Sequence, residues 1–568
     1  MARSVQPPAP STRTLDMFYG MVTDRSGLEV DEKEFTDLIN IRVNNLRQLK
    51  VRNGAKDFSD ETHTGSATGV NGLERYVNES GTEIDLKILD SGVLFESTSG
   101  GTWTSLKTGL ANARTFFAEL STEKTGVSAD ATDTVDSSSV NTVTASSLGA
   151  TINEHVGKIL QINNERKVIV KNTATKVTVA ERFDVTPAAS DSFSIIPAQK
   201  EMFFANGTNF YKTDGTTNTR LDNRVYAKGF TGITEHNSRL WAWKGRFLYY
   251  SDANCGEHYS RNALLPFSDD IQIAHPLGGV IAVWEKNKVS TIKGNRPDEF
   301  DVASQITNRG TSSPFSVATW GSMQMGLNKE QGVMVISTEK INPDGIEPSS
   351  VSNEYITEEI LAHTDAQLNA ACAETANDKY YLYVGTDLYV LHLKESLKAP
   401  RDDAGNIRWV WTVDDYPTDV DAFVLRLMGT KLAAGSAASG QVYELEADSQ
   451  YTDDGTAIAA TIEKQHWRPM SDERQVFFWG LKTRQNTTPA QVNVNYFADP
   501  DGTTYGSAIE IIDLNAASTS LHTVKFTGNP SNDKSKGNTM SLKITTSTSI
   551  NVPGIEELHL LYMPNPIG

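Results

Sequence analysis

Leu240-Trp241-Ala242-Trp243-Lys244-Gly245-Arg246-Phe247-Leu248-Tyr249-Tyr250 is two apolar runs joined by a Lys-Gly turn. Aromatic and aliphatic side chains fit the pleated, half-buried surface of a strand. Glycine in the turn supplies the backbone freedom that a tight connection needs. The segment therefore reads as an antiparallel β-hairpin. Five more segments repeat the pattern. Ile84–Ile88 turns at Asp90-Ser91-Gly92 into Val93-Leu94-Phe95, and Met202–Ala205 turns at Asn206-Gly207 into Phe210-Tyr211. Val280–Trp284 leads through 285–288 into Val289–Ile292, and Tyr380–Val384 through Gly385-Thr386-Asp387 into Leu388–Leu391. Phe423–Leu427 turns at Met428-Gly429-Thr430 into Lys431-Leu432-Ala433.

Hairpins recurring at irregular spacings of roughly 40–90 residues suggest propeller blades with insertions, because one four-stranded blade takes roughly 40–50 residues. A single blade cannot bury both faces; a ring of blades buries them against each other and leaves few open edges. The alternative is an ordinary β-sandwich or two, but the hairpins span too much chain for one sandwich. No WD or kelch signature is present, so blade number stays open.

Working outward, the expected fold is mainly β: a β-propeller with an inserted small β-barrel and a C-terminal β-sandwich. Residues 1–57 form an N-terminal arm with a strand-like run at Asn40-Ile41-Arg42-Val43, a segment expected to lie across a neighbouring domain. Residues 58–120 begin the propeller. Residues 121–198 hold the barrel, inserted between early blades: a polar stretch (121–150) unsuited to a core, then alternating strands at Gly157–Ile162, Arg166–Val170, Lys176–Ala180 and Asp191–Ile196. The propeller resumes over 199–455. It is interrupted at Glu354–Thr375, where Ile356, Ile360 and Leu361 recur at helical spacing and Asp365 is placed to cap a second turn through Leu368 and Ala371. Residues 456–568 carry longer alternating strands, the sandwich.

At 568 residues the chain is long enough for two to four domains, and 38% hydrophobic against 22% charged residues supports packed cores rather than disorder. The balance of 52 basic and 71 acidic residues gives a net charge of −19, which opposes DNA binding by counterion release. It is compatible with a surface past which DNA slides. Cys255 and Cys372 allow at most one bridge and offer no zinc spacing; two buried free thiols are expected. Met1–Asp16 carries Pro7, Pro8 and Pro10 and no apolar signal core, and no run approaches the ~18 apolar residues of a membrane span. A soluble, cytoplasmically made protein is expected.

The search for chemistry returns little. There is no phosphate loop, HExxH helix or nucleophile elbow. Glu96–Trp103 resembles the Asp-box turn of sialidase blades only at Gly100, Thr102 and Trp103, with Thr98 in the aspartate place, and that turn is structural. Asp499-Pro500-Asp501-Gly502 lacks the remaining ligands of a calcium loop and fits a type I turn. His236, His275, His363 and His392 are scattered beside turns and strands. Trp241, Trp243, Tyr249 and Tyr250 could present a sugar platform, though packing between blades is the ordinary role for such residues. No two carboxylates are paired by spacing. No catalytic, cofactor-binding or metal-binding residue is nominated, and the chain is not expected to be an enzyme.

One resemblance stands beside this reading. Thr36-Asp37-Leu38-Ile39-Asn40-Ile41-Arg42-Val43, then Leu46 and Val51-Arg52-Asn53-Gly54, resembles the opening of the tail nozzle, or hub, proteins of short-tailed bacteriophages. There a D-L-x-N-[VI]-R strand runs into an R-P-G turn; this chain has Asn53 in the proline place. Similar echoes follow in order at Arg239–Asp252, at Val280–Gly310 and from Ile356 through Leu391 to Arg408-Trp409-Val410-Trp411. They cover about residues 36–450. The resemblance implies a structural virion protein, the distal part of the DNA-ejection channel below portal and adaptor. It implies a homo-oligomeric ring, of six copies, contacting the tail adaptor and tail fibres or spikes. Genomic DNA would pass without sequence-specific binding, and assembly would occur in the host cytoplasm. The alternative is a receptor- or glycan-binding propeller adhesin of a phage tail.

Overall fold

The computed structural model describes residues 11–564 except 26–29, 59–68, 79, 99–100, 125–127, 164, 181, 184, 222–228, 260–261, 308, 338–340, 343–344, 347–348, 402–404, 468–473, 485–490, 499–509, 514–520, 526–539 and 549–553. Two compact units are formed: residues 1–58, 312–337 and 348–568 in the first, 59–311 and 338–347 in the second.

The second unit contains four antiparallel four-stranded sheets, each a blade. All four hairpins expected here are present and supply the second and third strands of their blades, as with Arg239–Lys244 paired to Phe247–Tyr250. Gly245 holds a φ of 55° between them, the left-handed region that glycine enters without strain. Trp241, Trp243 and Trp284 are fully buried, each side chain contributing on the order of 1.5–3 kcal/mol by leaving water.

The barrel is inserted within a blade, not between blades. Strand Phe116–Glu123 pairs directly with Ala198–Ala205, and the barrel occupies what would be the tip of that hairpin, where insertions disturb little. Its strands run in the order Ala131–Thr134, Ser192–Ile196, Ile159–Ile162, Glu165–Asn172, Lys176–Val179, Thr142–Thr144, Ser137–Ser139. The two outermost strands are successive pieces of one stretch, 131–139, so the sheet closes on itself. The polar 121–150 stretch does carry core: Val135, Val143 and Ala145 are buried with Leu160, Ile169 and Phe193. Alternation needs only every second side chain to be apolar, which is why composition misjudged it.

The first unit holds three more blades. One, from Ala318–Trp320, Met323–Asn328, Gly332–Ser337 and Ser349–Ser350, has a central hairpin absent from the expected set. The next runs from Cys372–Ala376 through Lys379–Val384 and Asp387–His392 to Trp411–Asp415. The last has three strands of its own, Ala422–Met428, Lys431–Ser436 and Val442–Leu445, and takes its fourth, Lys56–Asp57, from the N-terminal arm. The chain is thus a β-propeller with an inserted barrel.

The C-terminal sandwich follows. One sheet joins Thr456–Trp467, Met540–Thr548, Gln491–Ala498 and Glu510–Asp513; the other joins Gly554–Pro564, Arg474–Arg484 and Leu521–Lys525. Inward residues Ile458, Ala460, Ile462, Leu542 and Ile544 share a core with Ile555 and Leu558. The arm is woven into both sheets. Ser11–Leu15 and Gln48–Val51 pair with Gly554–Pro564, and Asp37–Ile39 pairs with Thr456–Trp467.

Two local expectations change. The run at Asn40–Val43 is broken: Asn40 takes a φ of 57°, ending Asp37–Ile39 in one sheet and starting Ile41–Asn44 in another. The stretch at 354–375 gives two short helices, Thr357–Leu361 and Asp365–Ala370, followed by a strand from Cys372. The cap of the second is Thr364, not Asp365; it forms a reciprocal capping box with Gln367, leaving Asp365 as the first helical residue.

Candidate functional site

The arm's three-residue strand Asp37–Ile39 lies between two sheets. On one side Ile39 pairs, parallel, with Val413 of a blade; on the other, residues 37–39 pair with Thr461–Glu463 of the sandwich. The two sheets become one ten-stranded sheet through it. Polar residues concentrate on both sides of this join, and they fall into two groups.

The first group is buried and compensated. Arg52 is fully buried and donates from both terminal nitrogens to Asp453, at 2.7 and 2.6 Å, and from Nε to Asn40 Oδ1 at 2.8 Å. Its guanidinium lies 3.6 Å from the centre of the Tyr416 ring. Arg42 donates to Asp414 and Glu446, and Lys379 Nζ meets Glu446 at 3.0 Å. Burial pushes the Glu446 carboxyl up, but Arg42 and Lys379 outweigh it and hold it well below the usual carboxylate range. Asn40 Oδ1 also accepts from the Asp415 backbone at 3.0 Å. Gly54 sits where a Cβ would fall 2.0 Å from the Thr452 carbonyl oxygen, so no other residue fits without backbone movement. Further along, buried Lys464 donates to the carbonyls of Asp31 and Glu34, tying the arm to the sandwich. Burial lowers its ammonium to about 8 despite nearby acidic groups.

The second group lines a cleft of about 400 Å³ and is strongly acidic. It contains Asp37, Glu359, Asp387, Asp415 and Glu463 beside Thr23 and Thr36. Strand register places like charges opposite each other twice: Asp37 faces Glu463 and Asp387 faces Asp415. Such pairs destabilise a sheet. Lys543 reaches Glu463 at 3.0 Å, and His363 Nε2 lies 3.3 Å from Asp387. Burial, then the charges of Glu463 and Glu359, pushes the Asp37 carboxyl up to about 7. Glu359 is likewise raised to about 7 by burial, with Asp387 and Asp24 adding and a hydrogen bond from Thr23 opposing. Among the described residues no group of His, Cys, Asp or Glu is arranged to hold a metal ion.

The residues singled out in the sequence lie elsewhere or in other roles. Trp241 and Trp243 are core, so neither can form a sugar platform; Tyr249 and Tyr250 are half-buried against Phe230 and Phe300. Trp103 is buried under the Lys87 ammonium at 4.4 Å, and Ser97 Oγ donates to the Gly101 carbonyl across the Asp-box-like turn. Ser99 and Gly100 of that turn, and Asp499–Gly502, lie outside the described residues. His236 and His392 are buried in the strand framework, His275 donates to the Pro276 carbonyl, and only His363 reaches the cleft. Both cysteines are free; Cys372 is buried, but Cys255 is half-buried, because it sits in a loop. Among the described residues no helix is long and apolar enough to cross a membrane.

No family model and no curated protein matches the sequence. Among solved structures, the chain is similar to the Pan2 WD40 domain of Neurospora crassa at 10% identity and a TM-score of 0.32, covering 72% of this chain and 98% of that one. BamB of Moraxella catarrhalis gives 10% identity and a TM-score of 0.31, covering 66% and 98%. At these scores the likeness is distant, and the propeller rests on the chain's own four-stranded sheets.

Proposed function

We propose that this β-propeller protein is a tail nozzle, or hub, of a short-tailed bacteriophage: a non-enzymatic virion protein forming the distal part of the DNA-ejection channel below portal and adaptor. The observation that carries the reading is the work done by the residues of the resemblance. Asn40, Arg42, Arg52 and Gly54 are committed to one buried clamp, by hydrogen bonds, ion pairs and a close backbone approach. They are not interchangeable hairpin positions of the kind any propeller repeats, so similarity there weighs more than similarity along a blade. The net charge of −19 suits a conduit, since phosphate is repelled at contact rather than retained.

In this role the chain assembles as a homo-oligomeric ring, of six copies, joined to the tail adaptor and to fibres or spikes. It is built in the host cytoplasm and functions in the virion. Negative-stain microscopy of the purified protein and of particles carrying it tests the proposal. Rings, and a ring at the end of a short tail, are expected. Isolated monomers that retain or hydrolyse a glycan would replace it with the adhesin or glycosidase reading.

A further inference from the structure

We infer that the strand Asp37–Ile39 is a pH-sensitive latch: ionisation of the carboxylates around it loosens the join between blade sheet and sandwich sheet, and protonation tightens it. The geometry comes first. This strand is three residues long, stands alone between the two sheets, and pairs with the blade at a single register position, Ile39 with Val413. Asn40 just beyond it donates its N–H to the Val413 carbonyl at 2.7 Å and accepts from the Asp415 N–H through Oδ1 at 3.0 Å. A latch with so few bonds responds to a modest change in repulsion.

The charges face it from every packed element. Asp37 meets Glu463 from the sandwich strand beside it and Lys543 from the next strand, and meets Glu359 from the Thr357–Leu361 helix. Glu359 in turn meets Asp24 of the arm, Asp387 of the blade and His363 after the helix. On the blade side Asp415 meets Asp387, Asp414 and Asp453, with Arg52 opposing. Acidic groups outnumber the basic groups Lys543, His363 and Arg52, and the cleft gives the repulsion room to open into.

The sign follows from linkage. Asp37 and Glu359 are raised to about 7, whereas carboxyls in an unfolded chain titrate near pH ~4. Between those values the folded join binds more protons than the open one, so its stability is complete below about pH 4 and falls as pH rises through about 7.

Hydrogen–deuterium exchange on the full chain between pH 5 and 8, corrected for the chemical rate, reads this out. Protection of peptides spanning 37–40 and 411–415 is expected to fall at least about tenfold across that range, the worth of one pKa unit. The Ala422–Met428 and Lys431–Ser436 hairpin, which carries no carboxylate, serves as the reference and stays unchanged. Asp37→Asn with Glu359→Gln flattens the fall at the join. A join whose protection does not change with pH in the wild-type chain overturns the inference. So does an undiminished fall in the doubly substituted chain. Should that chain fail to fold, Glu359→Gln alone must lessen the fall, and an undiminished fall there overturns the inference as well.

Discussion

Asp414 and Asp415 are neighbours on one strand, and strand alternation sends their side chains to opposite faces. Asp414 is completely buried and takes two hydrogen bonds from Arg42, with Arg52 3.7 Å away. Asp415 is exposed and looks across the sheet at Asp387. One face is a clamp in which every buried carboxylate meets a guanidinium or ammonium; the other gathers carboxylates with too few cations. A buried charge without a partner is expensive enough to unfold a domain, so the inner face must be paired. On the outer face water screens the exposed Asp415, while the partly buried Asp37 and Glu359 relieve repulsion by holding their protons more tightly, so the join stays adjustable. Stability and responsiveness are thus separated by the thickness of one sheet.

Removing a clamp residue breaks the comparison from the inner side, with the largest effect. Arg52→Ala leaves Asp453 and part of Asp414 buried without their partner, a loss of roughly 3–5 kcal/mol, read as a large drop in the denaturant midpoint. Arg52→Lys does not rescue it, because an ammonium cannot donate as a planar fork to Asp453 while lying over the Tyr416 ring. The next effect is steric. Gly54→Ala forces a methyl against the Thr452 carbonyl and should lower stability by roughly 1–3 kcal/mol. Its unfolding should not depend on pH differently from the wild-type chain, since no charge is touched. A pH-dependent loss for Gly54→Ala would mean that clamp and cleft are not separable.

Much of the fold was legible because its signals are local. Two apolar runs and a short turn, with glycine in five of the six, lie within about a dozen residues, and all six hairpins are present. The hairpin Met323–Asn328 with Gly332–Ser337 escaped because Gln324 and Gly326 break the continuous apolar run that marked the other hairpins, although Gln324 is fully buried. The arm's strands are two to five residues long, and apart from the local pair Ile41–Asn44 with Gln48–Val51 they meet partners hundreds of positions away, as Asp37 does Glu463. No local pattern announces such pairing. The same holds for the cleft, whose carboxylates come from positions 37, 359, 387, 415 and 463. The clamp left more of a trace, since Asn40, Arg42, Arg52 and Gly54 all fall in the opening segment 36–54, where the cleft contributes only Thr36, Asp37 and Ile39. The clamp's residues are fixed by shape as well as charge, and that constraint shows in a linear string.

The smallest predicted effect sharpens the comparison from the outer side. Asp415→Asn keeps the backbone bonds that matter, the N–H to Asn40 and the carbonyl to Arg52, while removing one charge of the pair with Asp387. Relief of a like-charge cross-strand pair is worth roughly 0.2–1 kcal/mol. Burial and the neighbouring Asp387 charge raise the Asp415 carboxyl, so the wild-type residue takes up its proton sooner in acid than an ordinary aspartate does. The substitution should therefore stabilise the chain at pH 8, and the gain should shrink towards zero as the pH is lowered past the carboxylate range. High salt should shrink it as well, because the site is exposed. Paired denaturation curves at the two pH values and two ionic strengths measure this. Were Asp415→Asn to destabilise the chain at pH 8 as Arg52→Ala does, the outer carboxylates would belong to the clamp, and the two faces of the strand would have to be treated as one network.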